Sequence, residues 1–205
     1  MLATLGAYIG MPDEELPPET EEAIASEVPK IGITGLPNSG KTQLLLKIIE
    51  MLEAEDKKVG GMITEAIFFR NKKVGFYVVD WLTKKRRKFA HENIESTVHV
   101  EEYGVDMRAL DAVGVKAIKA AIKEADVIVI DEVGKMEVES PGFVEAVNEA
   151  LDCDKPLILT LHKKSRNPLL QDIRRRDDLR ILEVTPVNRN LLPFKILNLM
   201  RGEVL

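Results

Sequence analysis

The sequence predicts a three-layer α/β domain: a mostly parallel sheet with added antiparallel hairpin strands and helices on both faces. Three observations carry that prediction. Short apolar runs alternate along the chain with segments of helical period, a pattern that right-handed crossovers turn into a parallel sheet. Two of the runs, at residues 127–130 and 157–161, are continuously apolar, as strands buried on both faces must be. The first run, built on Ile31 and Ile33, opens directly into a glycine-rich turn and then a helix from residue 42 onward.

Taken in order, residues 1–28 stand apart from everything that follows. Pro12, Pro17 and Pro18 interrupt a stretch carrying Asp13, Glu14, Glu15, Glu19, Glu21, Glu22 and Glu27. Acidic, proline-broken sequence buries little, so a leader outside the core is expected, followed by one domain over 29–205. After the helix at 42–52, residues 59–64 read as a buried strand. Residues 66–70 and 74–81 flank the turn chemistry of Asn71, Lys72 and Lys73 and predict a hairpin, with a further antiparallel strand at 87–91. Over 106–124, Met107, Leu110, Val113, Ala117 and Ala121 recur at helical spacing, with Lys116, Lys119 and Lys123 facing outward. Helices at 143–151, 167–176 and 190–200 then alternate with strands at 157–161 and 181–184.

Composition narrows the class. With 205 residues, 45% of them hydrophobic and 31% charged, the chain has the means for one sizeable core. A net charge of -5 provides no electrostatic footprint for nucleic acid or anionic lipid, so neither is expected as a partner. The lone cysteine, Cys153, cannot close an internal disulfide, which points to a reducing cytoplasm. No apolar run approaches the ~18 residues of a membrane span, and residues 1–10 lack the cationic start of a secretory signal. Glutamine occurs only as Gln43 and Gln171 amid abundant Glu and Lys, a weak lean toward a thermophilic source.

Chemistry concentrates in two places. Gly35-Leu36-Pro37-Asn38-Ser39-Gly40-Lys41-Thr42 matches Gly-x-x-x-x-Gly-Lys-Thr, the phosphate-binding P-loop, in its required setting between strand and helix. Its backbone N–H groups converge on phosphate oxygens and the positive helix end faces the anion. Lys41 is expected to neutralise charge between the β- and γ-phosphates, and Thr42 to offer its hydroxyl to Mg²⁺. The second place is the apolar run Val127-Ile128-Val129-Ile130, which ends in Asp131 and Glu132. Ligands of doubly wound sheets gather at the carboxyl ends of the strands, where the P-loop also lies. Asp131 is therefore expected to hold the Mg²⁺ shell through water, and Glu132 to orient and deprotonate an attacking water.

Five stretches follow one another in a familiar order: the P-loop, Gly60-Gly-Met-Ile-Thr64, Val74-Gly75-Phe76, Asp131-Glu-Val-Gly-Lys-Met-Glu137 and Val184-Thr-Pro-Val-Asn-Arg-Asn-Leu-Leu-Pro193. In these the chain resembles the P-loop nucleoside-triphosphatase family of thermophilic microbes, whose animal relative is the cancer-related nucleoside-triphosphatase. The resemblance spans residues 29–200, and the segment from Asp131 to Glu137 is its specific element. It implies a RecA-like fold and Mg²⁺-dependent hydrolysis of ATP, GTP, CTP and UTP or TTP to diphosphate and phosphate. It also implies that residues 35–42 and 127–134 (Val127, Ile128, Val129, Ile130, Asp131, Glu132, Val133 and Gly134) line the nucleotide. The leader and the more basic residues 161–164 depart from the family pattern.

Several further residues have two readings. Gly134 and Lys135 either reach the γ-phosphate region or form an ordinary turn with a solvated lysine. Thr160 either hydrogen-bonds the phosphate or its water, or is satisfied by backbone. Among Arg174, Arg175 and Arg176, one is a candidate arginine finger, against the plainer reading of a solvated charged face. Arg189 is a candidate cover for the base, or structural. Lys84-Lys85-Arg86-Arg87-Lys88, beside Trp81 and Phe89, is the sole hint of a nucleic-acid-driven switch and otherwise reads as an exposed hairpin tip. His91, His99 and His162 lack metal-ligand spacing. No Asn-Lys-x-Asp element is present, so loose base selectivity is expected. The sequence thus predicts a monomeric triphosphate hydrolase, with a small-molecule kinase built on the same loop as the alternative.

Overall fold

The computed structural model describes residues 28–203, so all of the predicted leader except Val28 lies outside the described residues. Nine strands form one sheet in the order β5-β6-β4-β3-β2-β7-β8-β1-β9. The parallel half comprises β2 (Val59–Phe69), β7 (Val127–Val133), β8 (Leu157–His162), β1 (Lys30–Gly35) and β9 (Arg180–Glu183). The antiparallel half adds β3 (Lys72–Asp80), β4 (Arg86–His91), β6 (Tyr103–Val105) and β5 (His99–Val100).

Two apolar layers enclose the parallel strands. On one face α1 (Lys41–Glu53) and α5 (Leu192–Met200) cover Ile31, Ile33, Val129 and Ile158. On the other, α2 (Lys116–Glu124), α3 (Pro141–Asp152) and α4 (Pro168–Arg175) cover Ile128, Ile130 and Leu159. Alternate residues of β7 therefore enter different cores, which is why its sequence is apolar at every position up to Asp131. This is the three-layer arrangement that the sequence predicts.

The differences from expectation have local causes. Instead of a strand at 59–64 and a separate hairpin arm at 66–70, β2 is one eleven-residue strand. Its first half pairs with β7, and its second half stays extended because β3 supplies an antiparallel partner from Met62–Asp80 to Phe69–Lys72. The turn between them places Arg70 and Asn71 at φ 47° and 64°, the left-handed pair that two-residue hairpins favour. Gly61 sits at φ 130°, and a Cβ there would overlap the Val129 carbonyl oxygen, so only glycine allows β2 and β7 to meet. The helix predicted at 106–124 is capped by Asp106, whose side chain accepts from the Ala109 amide at 3.0 Å. It opens into a wide π-type stretch at Leu110–Val115 before α2 begins. The two- and three-residue strands β5 and β6 were not predicted, being too short to leave a period; Tyr103 anchors them by an edge-on contact with Phe76 at 5.5 Å. Among the described residues no helix is long and apolar enough to cross a membrane.

Candidate active site

Because β1 and β7 run parallel, the turn after Gly35 and the acidic pair at Asp131 and Glu132 emerge on the same edge of the sheet. The turn is tight: Ser39 N–H donates to the Leu36 carbonyl at 3.1 Å, with Asn38 and Gly40 at φ 60° and 93°. Gly35 permits it, since a Cβ there would overlap Ser39 Oγ and come within 2.8 Å of Val184 Cγ1. Gly40 starts α1 without a side-chain cap, and no acidic residue occupies the first turn. The first amides of α1 are thus left for an external anion, at the positive end of the helix dipole.

Three threonine hydroxyls converge on Asp131, which is wholly buried. Thr42 Oγ1 donates to Oδ2 at 2.9 Å and Thr64 Oγ1 donates to the same oxygen at 3.4 Å. Thr160 Oγ1, from β8, donates to Oδ1 at 2.5 Å. Burial pushes the Asp131 carboxyl up to about 6, and the hydrogen bonds from Thr160 and Thr42 pull against that rise. Beside it Lys41, only 8% exposed, reaches Glu132 Oε2 at 3.3 Å. A cleft of about 570 Å³ opens here, with Gly35, Gly40 and Lys41 on one wall and Glu132, Gly134 and Lys135 on the other.

The donor set fits Mg²⁺. A desolvated carboxylate and a threonine hydroxyl at 2.9 Å offer hard oxygens only, and the uncompensated charge of Asp131 is what a cation relieves. Among the described residues no cluster of three or more His, Cys, Asp or Glu side chains encloses a metal. That suits an ion which keeps several waters and takes phosphate oxygens as its remaining ligands.

Not every predicted residue meets the cleft. Val127, Ile128, Val129 and Ile130, expected to line the nucleotide, are at most 4% exposed and belong to the two cores, because β7 lies between β2 and β8. Val133 is equally buried. Gly134 does line the cleft, as do Pro37 and Asn38, whereas Leu36 projects into solvent. Arg174 is committed elsewhere: its guanidinium donates to the carbonyls of His162 at 2.6 Å, Ser165 at 3.0 Å and Lys163 at 3.2 Å. Arg175 is exposed near Asp172, and Arg176 pairs with Asp178 and Asp152. Arg189 lies on the surface. Lys135 pairs with Glu101 at 3.1 Å across the mouth of the cleft.

Three cleft residues were not picked out individually from sequence. Thr64 and Glu137 sit inside the quoted motifs, but nothing in their spacing announces a contact with the acidic pair. Glu137 is 6% exposed, and burial pushes its carboxyl up to about 8, with Glu132 and Asp131 adding to the rise. His162 closes β8, and neither its lack of metal-ligand spacing nor its place in the basic stretch 161–164 points to the cleft.

A phosphate-binding turn joined through a threonine to a buried carboxylate two strands away marks the P-loop class of nucleotide-binding α/β proteins. The comparisons narrow that class. The NTPase family model matches residues 30–197. Nucleoside-triphosphatase THEP1 of Picrophilus torridus is 42% identical over 174 residues, covering 85% of this chain and 97% of that protein. THEP1 of Methanocaldococcus jannaschii is 41% identical over 169 residues, covering 82% and 95%. The crystal structure of THEP1 from Aquifex aeolicus superposes with a TM-score of 0.75 at 30% identity, over 83% of this chain and 98% of that one. The solution structure of a human cancer-related nucleoside triphosphatase gives 0.72 at 28% identity, over 86% and 100%. The chain belongs to the THEP1 family of nucleoside-triphosphatases.

Proposed function

We propose that this chain hydrolyses nucleoside triphosphates to diphosphate and phosphate, using Mg²⁺ and showing little preference for the base. One observation carries the reading: Lys41–Glu132 at 3.3 Å and Thr42–Asp131 at 2.9 Å bring both halves of a phosphoryl-transfer site to one cleft. Phosphoryl transfer asks chiefly for positioning and charge stabilisation, and these four side chains offer both.

In this mechanism the amides of residues 35–42 hold the triphosphate. Its charge draws Lys41 away from Glu132 and onto the β- and γ-oxygens, which frees the carboxylate for water. Thr42 and Asp131 would hold Mg²⁺, which when bound would neutralise charge on the phosphates. Thr160 and Thr64 keep Asp131 oriented. Glu132 accepts the proton of the water that attacks the γ-phosphorus in line, and the diphosphate leaves. Arg174, bound to three main-chain carbonyls, is not free to serve as an arginine finger, and slow turnover is expected where no other arginine takes that part. The absence of an Asn-Lys-x-Asp element supports loose base selectivity. The lone Cys153, its Sγ donating to the Ala150 carbonyl at 3.3 Å, fits a reducing cytoplasm.

The test is Glu132→Gln. It should bind nucleotide as the parent does, yet release phosphate slower by roughly two orders of magnitude or more. In the parent, release from ATP, GTP, CTP and UTP should be similar and should stop when Mg²⁺ is chelated. Unchanged release by the variant, or one sharply preferred triphosphate, counts against the reading; the latter favours a kinase.

A further inference from the structure

Among the described residues, two buried polar side-chain atoms have no hydrogen-bond partner: Ser39 Oγ and His162 Nδ1. Both border the same cradle. Ser39 lies within the P-loop, and His162, the last residue of β8, stands directly beside Gly35 in the parallel register. The imidazole lines the cleft together with Lys41, Glu132, Gly134 and Lys135. Its backbone is fixed, since Arg174 donates to the His162 carbonyl at 2.6 Å. The ring therefore carries unmet hydrogen-bonding capacity at a well-held position, and native proteins rarely leave such capacity unused.

Its surroundings identify the partner. Burial, followed by the charges of Lys135 and Lys41, holds the His162 pKa below its usual value, with Glu101 opposing and Arg174 adding to the effect. Cations gathered around a neutral ring mark a place built for an anion rather than for another base. Lys41 marks where β- and γ-phosphates lie, and Glu132 marks the side from which water comes. The carboxyl end of β8 lies between β1, which leads into the P-loop, and β7, which bears Glu132, where the terminal phosphoryl group of a bound triphosphate would lie. A diphosphate seated in the cradle would leave that end vacant.

We propose that the His162 imidazole N–H donates to the terminal phosphoryl group of a bound triphosphate, and so lets the site tell triphosphate from diphosphate. This rests on the nucleotide-binding reading above and adds to it the residue that recognises the third phosphate. A hydrogen bond to a charged acceptor is stronger than a neutral one, so its loss falls on triphosphate affinity alone.

The experiment is calorimetric titration of the full chain with a non-hydrolysable triphosphate analogue and, separately, with the diphosphate, both with Mg²⁺. His162→Leu should weaken the triphosphate analogue by about tenfold or more and leave the diphosphate within about twofold, as expected for one charge-assisted hydrogen bond. His162→Asn, whose side-chain N–H stands where the imidazole Nδ1 does, should recover most of the loss. Equal weakening of both nucleotides would assign His162 a purely architectural part and overturn the inference. So would a triphosphate preference that survives His162→Leu intact. Failure of the unsubstituted chain to bind either nucleotide would instead overturn the functional reading, and this inference with it.

Discussion

Two glutamates, one at the end of β7 and one in the turn that follows, carry opposite burdens. Both line the cleft, but Glu132 rests against Lys41 whereas Glu137 is 6% exposed and packs where a Cβ on Gly134 would lie 2.9 Å from its Oε2. Burial raises the Glu137 carboxyl from an ordinary 4.5 to about 8. The folded chain therefore holds this proton more tightly than the unfolded chain does. That difference stabilises the fold fully below about 4.5, and the stabilisation drains away as pH rises through about 8. Glu137→Gln removes the titration, so its melting temperature should overtake the parent's as pH climbs from 5 to 8.5 by thermal denaturation. Parallel curves would show that Glu137 is ionised throughout. Residues such as Lys41, Thr42, Asp131 and Glu132 were legible in sequence because motif spacing encodes them. Thr64, Glu137 and His162 were not, because their part comes from strand register and a loop turning back on itself, which local sequence does not record.

Between the residue and the molecule stands the loop that follows β8. Arg174 on α4 reaches back to three of its carbonyls and holds the chain between His162 and Ser165. Arg174→Ala should lower stability by about 1–3 kcal/mol, the usual cost of leaving such carbonyls unmet. Turnover should fall by less than about tenfold, because an arginine finger would be worth roughly 10³-fold or more. A thousandfold loss at unchanged melting temperature would restore the finger. Helix starts were readable to within two residues where caps are written in the sequence: Ser140 and Asn167 each accept from an amide ahead, and Pro141 and Pro168 follow them. The end of β2 was not, since its outer half depends on β3, and Thr64 with Glu65 interrupts the apolar run on which a single-strand reading relies.

At the scale of the whole molecule, charge decides which partners are plausible. The basic run at residues 84–88 is divided between a turn and the start of β4. Lys84 lies 3.2 Å above the Trp81 ring, Arg86 approaches Glu65 at 3.6 Å and Arg87 approaches Asp106 at 4.0 Å. An aromatic face and carboxylates of the same chain already engage three of the five basic groups, within a net charge of -5. RNA or DNA added at low salt should therefore leave phosphate release unchanged. Stimulation that fades as salt rises would revive a nucleic-acid-driven switch.

The strand order has one more consequence. With β8 interposed between β1 and β7, the backbones leading into the cradle and the acidic pair run two ladder spacings apart, about 10 Å, and the side chains of Lys41 and Thr42 bridge that gap. Main-chain pairing on either side of β8 sets that width, so the backbone acts as a calliper between the two strand ends. Side chains around the rim can be exchanged without retuning the gauge. A slip of β8 in its register would miscalibrate it at once, even with every motif residue in place.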